Sequence, residues 1–166
     1  ACLDADGDGY GSPAWSGCAG GATLDCNDGS ATVHPGAPEL CDGLDNDCDT
    51  LVDDIPAPGP PELSMEPGGL VTWVSAPGTT AVDVVRGNTT VLRLTNGDFT
   101  ASTTTCLGND IATGSLSDPA VPAGGKAFWY LSRGIACVTA GTYDEGAASQ
   151  VGTRDAEIAA AAAACP

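Results

Sequence analysis

Beyond residue 61 the apolar positions come in short runs; before it they hardly form runs at all. Residues 70–74, 81–85, 90–94 and 127–131 are rich in β-branched and aromatic side chains. Pro77-Gly78, Arg86-Gly87-Asn88, Asn96-Gly97-Asp98 and Gly124-Gly125 separate them, which is how short strands joined by turns are punctuated. No helical period runs through the stretch, so residues 62–166 are expected to form an all-β sandwich. The tail departs from this pattern. Residues 153–158 carry early acids and lead into the alanines of 159–164, which fits a short helix, and a docked extended tail fits nearly as well.

The first 54 residues offer few large apolar side chains, among them Leu3, Tyr10, Trp15, Leu24, Val33, Leu40, Leu44 and Leu51. That is too little for a core, so bridges and ions must stabilise this part. Between the halves, residues 55–61 read Ile-Pro-Ala-Pro-Gly-Pro-Pro, a stiff linker because proline fixes φ and removes donors. The expected organisation is an acidic module over 1–54, a linker over 55–61 and a sandwich over 62–166. The fold class is mainly β.

Charge sharpens this picture. The chain carries a net charge of −17, and all five basic residues, Arg86, Arg93, Lys126, Arg133 and Arg154, lie in the second part. This excess disfavours nucleic acid and anionic membranes as partners, and no apolar run is long enough to span a bilayer. No signal peptide opens the sequence, so the chain is expected to be a processed or excised piece of a longer precursor.

Most acids of the first part sit in two clusters, Asp4-Ala5-Asp6-Gly7-Asp8-Gly9 and Asp45-Asn46-Asp47-Cys48-Asp49-Thr50-Leu51-Val52-Asp53-Asp54. Two charges about 10 Å apart in water repel by roughly 0.4 kcal/mol, and many such pairs rival a whole domain's stability. Carboxylates on alternate residues of a glycine-bearing loop converge on one point, as a hard cation requires. Calcium is the leading ion; magnesium demands a stricter octahedron.

Counted as EF-hand loops, the first cluster places Asp4, Asp6, Asp8 and the Tyr10 carbonyl at ligand positions. The second places Asp45, Asp47, Asp49, the Leu51 carbonyl and Asp53 there. The closing glutamate is missing from both, since Trp15 and Pro56 occupy its position. Each loop must therefore borrow an acid from Asp25, Asp28, Glu39, Asp42 or Asp54. A third site built from Asp25, the Asn27 amide oxygen, Asp28 and Glu39 is a further expectation. Copper would want imidazole or sulfur, and the chain offers His34, near Trp15, and Met65.

Eight cysteines, Cys2, Cys18, Cys26, Cys41, Cys48, Cys106, Cys137 and Cys165, and no Cys-x-x-Cys, indicate disulfides in an oxidising compartment. Spacing cannot choose among the pairings. Five precede the linker and three follow it, so full oxidation needs a bridge between the halves or between molecules.

Residues 4–54 resemble the MopE-type metal-binding motif of secreted bacterial proteins. The matching elements are Asp-Ala-Asp-Gly-Asp-Gly-Tyr-Gly at 4–11, Asp25-Cys26-Asn27-Asp28, His-Pro-Gly-Ala-Pro-Glu at 34–39, and Cys-Asp-Gly-Leu-Asp-Asn-Asp-Cys-Asp at 41–49. The chain departs from the motif at Thr50, where glycine is usual, and at Asp54, where glutamate is common. The family is named for a copper-binding surface protein, whereas the acidic pattern here looks like calcium chemistry.

Residues 62–145 resemble a bacterial secreted fibronectin type III domain, through Val71-Thr72-Trp73, Val-Asp-Val-Val-Arg-Gly at 82–87, Phe-Trp-Tyr-Leu-Ser-Arg-Gly at 128–134 and Gly141-Thr142-Tyr143. The resemblance points Val71, Trp73, Val82, Val84, Phe128 and Tyr130 inward. Trp129 and Leu131 then point outward, as an apolar contact patch against the metal module or another molecule. Such domains are spacers and adhesion modules.

The resulting expectation is a non-enzymatic, extracellular, calcium-stabilised structural protein that self-associates into a surface fibre, with Cys2 and Cys165 near the two chain ends. An adhesion module of a larger surface protein and a secreted copper binder are the alternatives. One histidine and no Ser-His or Cys-His pairing leave little for catalysis. Asn88-Thr89-Thr90 fits a glycosylation acceptor and 100–105 could carry O-linked sugars, although turn chemistry explains both as well.

Overall fold

The computed structural model describes residues 3–12, 17–21, 23–137, 139–145 and 153–166; Cys2 and Trp15 lie outside these residues. The chain divides into two compact units, Ala1–Ile55 and Pro56–Pro166.

Among its described residues the first unit has no strand, only an isolated bridge between Gly11 and Leu24. Its buried side chains are few, Val33, Ala37 and Cys18, and they are joined by two polar ones, Asp25 and Asn46. The Cys26–Cys48 bridge closes a 22-residue separation. A bridge over a loop of that length stabilises by about 3 kcal/mol through the entropy of the unfolded chain. Cys18, Cys41 and Cys137 are also disulfide-bonded.

The second unit contains β1 (Glu62–Glu66), β2 (Leu70–Val74), β3 (Ala81–Asn88), α1 (Thr89–Leu94), α2 (Phe99–Ser102), β4 (Thr103–Ile111), β5 (Ser115–Ser117), β6 (Phe128–Ala136), β7 (Thr139–Ala140) and α3 (Arg154–Ala160). The sheets run β1-β2-β5 and β4-β3-β6-β7, and every pairing is antiparallel. Val71 and Trp73 of β2 meet Val82 and Val84 of β3 between the sheets, with Leu63, Leu107, Ile111, Leu116 and Tyr130 packed around them. This is the expected β-sandwich core. Phe128 lies instead beneath the Arg86 guanidinium, 4.5 Å from the ring centroid.

The run at 90–94 is helical, not extended. Asn88 Oδ1 accepts from the Thr90 and Val91 N–H groups at 2.8 and 3.3 Å, which caps a helix start and outweighs the β preference of Thr and Val. The strand β3 continues through Arg86-Gly87-Asn88, so that expected turn is absent. The cap engages Asn88 Oδ1, and in 100–105 both Ser102 and Thr103 are buried.

The outward Trp129 and Leu131 do not form an exposed patch. They pack with Phe99 and Cys106 on a second core of Val85, Tyr143, Ile158 and Cys165. Trp129 meets Phe99 edge to face at 5.0 Å and lies against Gly87, where a Cβ would collide with the indole. The cover is the chain's own C-terminal segment. Ile158 of α3 is buried, the Phe99 N–H donates to Glu157 at 2.8 Å, and Cys165 is bonded to Cys106. The tail is therefore a short helix followed by a bridged end, and Cys165 is committed within its own domain.

Arg86 contacts both Asp118 oxygens at 2.6 and 2.8 Å, and the Tyr130 hydroxyl donates to the same carboxylate at 2.9 Å. Burial raises the Asp118 pKa, but the Arg86, Ala120 and Tyr130 hydrogen bonds outweigh it and leave the group below the usual range. Burial and that carboxylate push Tyr130 up to about 12. Of the proline-rich segment, Pro58 and Pro61 are buried, and Ser132 Oγ donates to the Pro61 carbonyl at 3.0 Å. Part of the expected linker thus packs onto the sandwich.

Candidate metal centre

Each acidic cluster folds as a loop wrapped around its own carboxylates. Asp4 accepts from the Gly7 and Gly9 N–H groups at 2.6 and 3.0 Å, Asp6 from Asp8 at 3.2 Å, and Asp8 from Tyr10 at 2.8 Å. The second loop repeats the scheme. Asp45 accepts from Asp49 and Thr50 at 3.1 and 2.8 Å, Asp47 from Asp49 at 3.1 Å, and Asp49 from Leu51 at 2.8 Å. Local hydrogen bonds therefore fix the orientation of each acid, through both oxygens of Asp4 and Asp45 and through one oxygen of Asp6, Asp8, Asp47 and Asp49.

Oxygens of these acids converge. Asp4, Asp6 and Asp8 each present one oxygen within 4.8 Å of the others, and so do Asp6, Asp25 and Asp28. Asp6 belongs to both groups, which makes the two a single acidic focus. In the second loop Glu39, Asp45 and Asp47 converge within the same distance. At that separation two carboxylates repel by about 3 kcal/mol at an effective dielectric of 20.

Several of these oxygens are sealed from water. Asp6 Oδ2, Asp8 Oδ2, Asp25 Oδ2 and Glu39 Oε2 are buried without a hydrogen-bond donor. Asp25 is only 1% exposed. Its pKa is raised by burial first and by the charges of Asp8, Asp6 and Asp28 after it, against the Asn27 N–H, which lowers it. Slight desolvation, then the charges of Asp49, Glu39 and Asp47, also raise Asp54, an exposed group facing the second loop. A buried anionic oxygen with no donor costs several kcal/mol unless a cation meets it.

The structure distributes the expected ligands unevenly. Asp25 and Asp28 join Asp6, while Glu39 joins Asp45 and Asp47. The acids read as a third site are thus shared between the two loops. Asn27 is exposed, and its N–H donates to Asp25. Asp53 accepts from Asp42 and Gly43 at 3.1 and 3.0 Å and staples that turn. Asp49 and Asp54 border the second group. Tyr10 and Leu51, expected to ligate through their carbonyls, donate their N–H groups to Asp8 and Asp49. Cys26 and Cys48 lie close to Asp25, but their sulfurs are bonded to each other and offer no thiolate. His34 stacks face to face on Tyr10 at 4.9 Å and enters none of the described ligand groups.

Sequence reading missed Asn46. It is fully buried, receives the Leu40 N–H at 2.9 Å and donates to the Thr32 carbonyl at 3.2 Å. Its carbonyl takes the His34 N–H at 2.8 Å. Glu39 accepts from the Asn46 and Asp47 N–H groups at 2.6 and 3.0 Å, which holds its other oxygen toward the loop. The signal was the interruption itself: an amide placed between alternating acids faces the opposite way and has a different task.

Residues 25–54 match the Cu-binding MopE family model, described as "Putative metal-binding motif". The match takes in Asp25, Asp28, Glu39 and the second loop, and leaves the Asp4–Asp8 loop outside it. No curated protein and no solved structure matches the chain. No helix among the described residues is long and apolar enough to cross a membrane. The chain therefore carries a MopE-type metal-binding motif in a disulfide-bonded module, and those bridges fit an oxidising compartment, the periplasm or the cell exterior.

Proposed function

We propose that the first unit is a calcium-loaded structural module of an extracellular, non-enzymatic protein, carried on a fibronectin type III-like sandwich. The buried carboxylate oxygens without donors, on Asp6, Asp8, Asp25 and Glu39, carry this reading. Among the described residues the convergent groups, apart from the Cys26–Cys48 sulfurs held in their disulfide, are hard carboxylate oxygens on irregular loops, which suits an ion that takes six to eight oxygens with tolerant geometry. Seven strands in two antiparallel sheets among the described residues support the sandwich assignment.

Copper is the second reading, favoured by the name of the matching family. Against it stand the stacked imidazole of His34 and cysteine sulfurs bonded in disulfides. The converging acids serve the loops, and the one imidazole stacks on Tyr10, so among the described residues no acid–base pair for catalysis stands out. The excess of negative charge argues against nucleic-acid partners.

The fibre reading rested partly on a chain-end bridge through Cys165, which is used by Cys106. A spacer or adhesion role in a larger surface protein therefore has more support, and sedimentation in calcium would report any noncovalent self-association. Elemental analysis and melting curves of the full chain with and without chelator test the ion. Calcium at 100 times its Kd should add about 2.7 kcal/mol to the first unit. A first-unit transition indifferent to calcium, or stoichiometric copper, would remove the calcium reading.

A further inference from the structure

We propose that the two acidic loops bind their cations with positive coupling, and that the Cys26–Cys48 disulfide transmits it. This rests on the reading of the loops as cation sites.

Cys26 follows Asp25, the most buried acid of the first focus. Cys48 stands between Asp47 and Asp49, both in the second loop. The Asp25 carboxylate and both sulfurs lie within 4.8 Å of one another. The Cys26 N–H donates to Cys48 Sγ at 3.2 Å, so the backbone beside Asp25 also rests on the bridge. Cys48 has φ 63, a left-handed conformation disfavoured for an L residue. An ion in the second loop fixes Asp47, holds Cys48 in that conformation, and thereby fixes Cys26 and Asp25. Ordering Asp25 is a cost the first ion would otherwise meet alone, so a filled second loop raises affinity at the first. Charge alone predicts the opposite, because one bound cation weakens the attraction for another. A second link joins the same regions, since Tyr10 stacks on His34, whose N–H binds Asn46.

The test is a calcium titration of the full chain against a competing chelator. Glu39→Gln with Asp47→Asn disables the second loop. It removes two negative charges together with an ion of two positive ones, leaving the net field at the first loop nearly unchanged. First-loop affinity should fall at least about fivefold, the lower end of ordinary coupling. In a Cys26→Ser/Cys48→Ser background the same change should alter it less than about twofold. Tyr10→Leu, which keeps the backbone carbonyl, should retain the coupling. Should the bridge-free chain fail to fold, hydrogen exchange in the bridged protein serves: filling the second loop must slow exchange at the Cys26 and Asn27 amides. Unchanged exchange there, equal first-loop affinities with and without a working second loop, or coupling that survives loss of the bridge would overturn the proposal alone. No calcium uptake by the unaltered chain would overturn the cation reading and the coupling together.

Discussion

Thr50 sits at the point where the two loops can be compared directly. Gly9 lies five residues after Asp4 and donates to its Oδ2; Thr50 lies five residues after Asp45 and donates to its Oδ2. Gly9 has φ 101 and Thr50 has φ 84. The turn demands positive φ, which glycine adopts without penalty and a β-branched residue does not. A left-handed backbone costs an L residue about 1–2 kcal/mol. Replacing Thr50 with glycine adds back roughly 0.5–1 kcal/mol of unfolded-chain entropy. Its side chain is exposed, so no packing is lost. The expected net gain for Thr50→Gly is about 1 kcal/mol, or some fivefold in second-loop affinity for the proposed calcium if the loop closes only on the ion. Thr50→Ala keeps a Cβ and should recover only a fraction of this. The converse, Gly9→Thr, should weaken the first loop by at least as much, because its Cβ would also press on Ala19 at 3.3 Å. Calcium titration against a chelator and melting curves in calcium read all three variants. A Thr50→Gly protein that binds more weakly than the parent, or an alanine variant equal to it, would refute the strain at this turn.

The sandwich supplies the remaining tests. Asp118→Asn should cost about 3 kcal/mol, because it leaves the partly buried Arg86 guanidinium without its counter-charge; chemical denaturation of the second unit measures this. The same carboxylate has a lowered folded pKa, so its contribution is present above the unfolded value of 3.8 and fades as pH falls through the folded one. The acid side of a stability–pH curve should flatten in Asp118→Asn. Tyr130 has its pKa raised, so its contribution holds below the unfolded value of 10.0 and is lost as pH rises toward about 12. Tyrosinate absorbance should show it titrating late, and a normal midpoint would contradict the Asp118 contact. Ile158→Ala should cost about 2–5 kcal/mol and raise binding of a hydrophobic dye as the second core loosens; an unaltered melt would mean that α3 does not seal that face.

Features set by local physics are legible in the order of the residues. Alternate aspartates beside Gly7 and Gly9 can only wrap inward, because the donors that hold them are two to five residues away. The strands at 70–74 and 81–85 announce themselves by side-chain type and turn signals. At 90–94 composition favours a strand, whereas a single cap at Asn88 decides for helix. Tertiary structure alone settled which distant acid completes each loop, Asp25 and Asp28 for one and Glu39 for the other. It alone turned Trp129 and Leu131 from a surface into a core, since the covering Ile158 and the Cys106–Cys165 bridge come from far along the chain. Spacing encodes contacts within a turn or a strand; partners tens of residues apart are chosen by which arrangement buries apolar surface and gathers charge around a cation, and that choice is made only when the whole unit folds.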